Sequence, residues 1–193
     1  MKLLKKIKIA PQVAVLLAFM ILGDRSGIGL ITVGAALLHE CGHLAAAKLL
    51  HIPLGGLRMS FLGARLEISG RMLSYGEEWL LCAAGPMTSL LAAAVAAPLW
   101  QYSTGAQVFS CASLVLGALN LLPIQTFDGG RMFETALTFL GGTRLAGRLM
   151  TLCSFVFLFL LWTTAVYFLL RAGDGLSLFC FSLSLFLRFF DRE

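Results

Sequence analysis

Apolar residues run through this chain in long, nearly uncharged blocks separated by short polar seams. Residues 9–23, 27–50, 79–100, 106–122, 149–170 and 176–190 each read as a membrane-crossing helix, the last one short. Pro53 forbids easy continuation of the second block, and Pro98 with Gly105 separates the third from the fourth. Gly85-Pro86 should kink or locally open the third. Residues 57–69 change period: Leu57, Met59 and Phe61 alternate with Arg58 and Ser60. After Gly63, Leu66 and Ile68 alternate with Arg65, Glu67 and Ser69. That spacing predicts a small membrane-associated β-hairpin with one apolar face. Residues 132–140 read as a short amphipathic helix. The pattern gives an all-α polytopic membrane protein with about six transmembrane helices.

Composition agrees with the pattern. Of 193 residues, 59% are hydrophobic and 13% charged, about half the charged share of a soluble domain, and mean hydropathy is +0.87. A chain of this length makes one integral membrane unit spanning residues 1–193. Residues 2–23, basic and then apolar, lack a small-residue cleavage pattern and read as a retained first span. Cys41, Cys82, Cys111, Cys153 and Cys180 stand singly in apolar segments, which argues against a disulfide framework or a cysteine metal site.

The net charge of +5 is explained by topology, with no call for nucleic acid. With the N-terminus inside, six spans put thirteen of the fifteen Lys and Arg residues on the cytoplasmic side, leaving Arg25 and Arg171 outside. His39, His43 and Asp128 then fall toward the cytoplasmic leaflet of a bacterial-type membrane.

The chemistry concentrates in His39-Glu40-Cys41-Gly42-His43. Histidines four apart share one helix face, the arrangement that holds zinc while the glutamate acts on a water. Two imidazoles and a carboxylate inside an apolar span are costly, and such groups mark function. Catalytic zinc takes three protein ligands and keeps a fourth position open. His51 lies past the motif helix's end and Glu134 two turns into a later helix. Asp128, beside Gly129-Gly130, is the better third ligand because the glycines let backbone approach closely.

His39-Glu40-x-x-His43, Ala84-Gly85-Pro86, and Asn120-x-x-Pro123 followed by Asp128-Gly129 resemble the site-2 protease family of intramembrane zinc metalloproteases. The resemblance covers about residues 30–135, and its arrangement is similar to the short sporulation-type member that processes a sigma-factor precursor. It implies a three-helix catalytic core within residues 27–140, flanked by helices 9–23, 149–170 and 176–190. It implies Zn2+ on His39, His43 and Asp128, Glu40 as catalytic base, and Asn120 orienting substrate or oxyanion. Asn120 serves equally well to satisfy broken-helix backbone near Pro123. The implied partners are the lipid bilayer and a membrane-associated protein substrate, such as a transcription-factor precursor, with room for an inhibitory or regulatory membrane protein. The hairpin would offer an edge strand to an extended substrate. Phe127 and Ser89 depart from the commoner leucine and asparagine at those places. The competing readings are an inactive zinc-binding scaffold and a metal transporter. The second is disfavoured because no repeated halves are visible.

Overall fold

The computed structural model describes residues 7–9, 24, 26–60, 63–68, 70–172 and 176–190. Contacts divide the chain into two compact units, residues 1–120 and 121–193.

The first unit holds strand β1 (Ile7–Ile9), helix α1 (Ile28–Leu49), strands β2 (Leu54–Ser60) and β3 (Gly63–Ile68), and helices α2 (Tyr75–Ala96) and α3 (Thr104–Asn120). A 3-10 turn at Ala97–Leu99 follows α2, where Pro98 occupies an early position that needs no N–H donor. Each of the three helices packs against the other two. The strands form one sheet in the order β1-β2-β3, with β1 parallel and β3 antiparallel to β2, so β3 is an edge strand. Of the expected first span, Ile9 belongs to β1 and residues 10–23 lie outside the described residues.

Helix α1 starts without a side-chain cap on its own Ncap residue, Gly27. Asp24 does the work from upstream: one carboxylate oxygen accepts the Gly29 N–H at 2.6 Å and the other the Ser26 N–H at 2.9 Å. An anion there also faces the positive end of the helix. The far end closes before Pro53. His51, at φ +53°, returns its N–H to the Lys48 carbonyl, while Ile52 reaches the Ala47 carbonyl at 2.9 Å. This is a Schellman ending with histidine where glycine is usual, and Ile52 packs with Ala47 and Leu81 beneath it.

Helix α2 opens on a capping box. The Glu77 N–H meets Ser74 Oγ at 3.3 Å, and the Glu77 carboxylate accepts the Ser74 N–H at 3.0 Å. Arg71 clamps that carboxylate through two guanidinium nitrogens. Helix α2 continues as helix on both sides of Pro86. Thr88 Oγ donates to the Ala84 carbonyl at 2.7 Å just beyond it. Ser110 of α3 likewise donates to the Ala93 carbonyl of α2.

The second unit holds α4 (Asp128–Ala172) and α5 (Leu176–Phe190). The α4 run is two helices meeting at a kink at Gly142, whose φ +80° and ψ 167° are not helical. The short helix expected over residues 132–140 and the later span over 149–170 lie on opposite sides of that break. Among the described residues, three helices are long and apolar enough to cross a membrane: Ile28–Leu49, Tyr75–Leu99 and Asp128–Arg171. Thr104–Asn120 and Leu178–Leu187 are apolar but shorter.

Candidate metal centre

Glycines make the site possible. Helices α1 and α2 approach so closely at Gly42 that a Cβ there would run into Thr88 Oγ1 and lie 2.7 Å from the Ala84 carbonyl. Small residues at a helix seam are how packed spans bring their backbones together in lipid. One turn earlier on α1 the same closeness buries His39, and one position later it buries His43. Opposite them stands Gly85. A Cβ on Gly85 would fall on the His43 ring and within 2.8 Å of His39 Nε2, so this glycine is the floor on which both imidazoles rest.

Both rings are held through the same nitrogen. His43 Nδ1 lies 2.8 Å from the Leu81 carbonyl of α2. A carbonyl only accepts, so that nitrogen carries the hydrogen and Nε2 keeps a lone pair. His39 Nδ1 lies 2.9 Å from Ser89 Oγ. The two Nε2 atoms are 3.3 Å apart, with the rings 76° from coplanar. Zinc–imidazole bonds of about 2.0–2.1 Å at a tetrahedral angle separate two nitrogens by about 3.3–3.4 Å. The donor set and spacing therefore fit a tetrahedral cation.

Asp128 is the first residue of α4, preceded by a turn folded tightly on itself. A Cβ on Gly129 would meet the Leu121 backbone, and one on Gly130 the Ile124 backbone, so glycine is required at both for this packing. The Phe127 N–H reaches the Ile124 carbonyl at 2.9 Å, and the Gln125 N–H donates to the buried Ser154 Oγ at 3.0 Å. His39 and His43 thus present two buried imidazoles in the first unit, and Asp128, a half-buried carboxylate, opens the first helix of the second; these are residue types that could hold a metal ion.

The other candidates fall differently. Glu40 is half-buried, one residue round the helix from His39. Asn120 donates one side-chain N–H to the Leu116 carbonyl of its own helix at 3.0 Å. His51 and Glu134 are exposed. Sequence reasoning missed the Leu81 carbonyl entirely and noted Ser89 only as a departure; Gly85 was read as a kink, not as a floor. The signal for Gly85 was present: a glycine facing two histidines across a seam must be there for room.

Two buried imidazoles with their Nε2 atoms 3.3 Å apart, in an apolar helical chain, are a pair that could hold a metal ion in a membrane protein. Residues 96–164 match the profile of peptidase family M50. The fold is similar to the site-2 protease from Methanocaldococcus jannaschii, with TM-score 0.65 and 19% identity over 94% of this chain and 87% of that one. No curated protein sequence matches. The profile match supports the peptidase M50 (site-2 protease) family, and with it a membrane metallopeptidase, while the structural match is a likeness of fold. Neither match bears on sporulation or on a sigma-factor precursor.

Proposed function

We propose that this chain is an intramembrane zinc metalloprotease that hydrolyses peptide bonds of membrane-embedded or membrane-tethered proteins, a transcription-factor precursor being one such substrate. The observation that carries the proposal is the buried His39-His43 pair, both rings held through Nδ1 and their Nε2 atoms 3.3 Å apart, inside an apolar helical protein. His39 and His43 would hold the metal through Nε2 and Asp128 through its carboxylate. The bound ion would supply Lewis acidity, making a water acidic near neutrality and polarising the scissile carbonyl.

Glu40 takes the attacking water's proton and returns it to the leaving amine, a cycle a carboxylate beside the histidines can run without moving far. Its position between the two histidines is the one the H-E-x-x-H motif gives its general base. Asn120, bonded through one side-chain N–H to the Leu116 carbonyl, keeps a second N–H to offer an oxyanion and a carboxamide oxygen to accept a substrate N–H. We place the centre toward the cytoplasmic leaflet on the Lys and Arg distribution.

The test is a Glu40→Gln variant assayed for zinc content and for cleavage of membrane-tethered candidate substrates in proteoliposomes. Zinc retained with cleavage reduced at least 10³-fold is the expected outcome; general acid–base catalysis is worth on the order of 10²–10⁴-fold. A chelator should silence the wild type and added zinc restore it. Equal cleavage by the variant would refute Glu40 as base, and cation flux without cleavage would make the protein a transporter.

A further inference from the structure

The two histidines are supported by partners of different kinds. His43 leans on a main-chain carbonyl, that of Leu81, which no substitution can delete and which fixes one tautomer. His39 leans on the hydroxyl of Ser89, which accepts or donates with equal ease. Ser89 is 1% exposed, one helical turn beyond the Gly85 floor on α2, and meets the His39 ring at Nδ1, the nitrogen opposite the one that faces His43.

We infer that Ser89 is a positioning residue for metal binding: its Oγ accepts the Nδ1–H of His39, holding the ring in the orientation and tautomer that present Nε2 to the cation. The inference rests on the metalloprotease reading and adds to it a residue outside the His-Glu-His-Asp set. Outer partners of ligating histidines fix tautomer and ring rotation, and losing one typically costs 10–100-fold in metal affinity. The same loss at His43 cannot be produced by mutation, so Ser89 is the point at which the support of the pair can be probed by side-chain chemistry.

Ser89→Ala removes one oxygen from a buried position and leaves the helix seam otherwise filled. Ser89→Thr keeps the hydroxyl. Full-length protein in detergent would be titrated with Zn2+ against a chromophoric chelator. In parallel, 15N spectra of histidine-labelled protein would report the protonated nitrogen; with three histidines in the chain, the signals are few enough to assign. Ser89→Ala should bind zinc 10–100-fold more weakly, and in the metal-free protein its His39 signals should shift toward a tautomer mixture while His43 stays Nδ1-protonated. Ser89→Thr should recover most of the affinity; should threonine not fold, the His39 tautomer in Ser89→Ala alone decides. Zinc affinity in Ser89→Ala within twofold of wild type, with an unchanged His39 spectrum, would overturn the inference while leaving the metalloprotease reading intact. Failure of the wild type to bind zinc at all would remove both.

Discussion

Two helix pairs in this protein are built on opposite plans. Helices α1 and α2 meet through Gly42, Ala84 and Gly85, with polar groups buried at the seam: His39, His43 and Ser89. Helices α4 and α5 meet through side-chain bulk. Phe155 lies edge-on to Phe186 at 6.3 Å, Trp162 lies edge-on to the same ring at 6.4 Å, and Leu158 and Leu185 are fully buried between them. In lipid, apolar burial gives little reason for helices to associate, so packing and hydrogen bonds must do it. The glycine plan brings a backbone carbonyl within reach of an imidazole, which no aromatic seam permits. The aromatic plan fills volume with contacts that are individually soft and replaceable. Precision is therefore concentrated in α1 and α2, and tolerance in α4 and α5.

The strongest way to break that contrast is to add carbon at the glycine floor. Gly85→Ala would set a methyl against the His43 ring and 2.8 Å from His39 Nε2. Overpacking of this kind costs about 1–3 kcal/mol, and since each 1.4 kcal/mol is a factor of ten, zinc affinity should fall by roughly 5–150-fold. Gly85→Val should abolish metal binding outright. Zinc titration is the measurement, with circular dichroism to show the helices intact. Wild-type affinity in Gly85→Val would mean that the histidines are not held as the geometry has them.

Much of this architecture could be read from residue order, for identifiable reasons. His39-Glu40-x-x-His43 is legible because helical spacing and ligand chemistry coincide in five residues. Residues 28–49 could be bounded because Pro53 follows closely. Where the reading departs, the cause is physical. Residues 132–140 and 149–170 read as two helices, and a kink at Gly142 does divide them, but the later helix starts earlier than expected because arginine, leucine and alanine sustain a helix well. At Pro86 the helical assignment of α2 continues, with Thr88 bonded to the Ala84 carbonyl. The Leu81 carbonyl had no signal at all, since every residue carries one. Ser89 was one serine among many until its distance to His39 was known.

A milder perturbation tests the other half of the comparison. Phe155→Leu removes aromatic contacts with Phe186 and with Phe159, its stacked neighbour at 6.4 Å. Aromatic pairs contribute about 0.5–1.5 kcal/mol beyond area, and Phe155 is exposed enough to exchange part of its packing for lipid. Unfolding in mixed micelles should shift by no more than that amount, and zinc affinity should stay within twofold. A loss as large as that of Gly85→Ala would erase the distinction between the two seams.

The smallest effect belongs at the solvent end of α1, fifteen residues before His39. Hydrogen bonds from Ser26, its side chain first, hold the Asp24 carboxyl below its ordinary value of 3.8, aided by the Gly29 amide. A depressed carboxylate stabilises the fold when ionised: the contribution is complete above the ordinary value and is lost as pH falls through the lower, folded one. Asp24 is only partly buried, so the effect is local fraying of the first turn. The protection factor of the Gly29 amide, its exchange rate relative to the unstructured rate at the same pH, should fall below pH 4 in the wild type. In Asp24→Asn protection should already be lower at neutral pH and show no such acid step. Because His39 lies about 16 Å along the helix from its first residue, Ile28, at 1.5 Å per residue, zinc affinity at neutral pH should be the same in both. If Asp24→Asn weakened zinc binding tenfold, α1 would be transmitting its N-terminal state to the histidines, and the rigidity ascribed to the glycine seam would not hold.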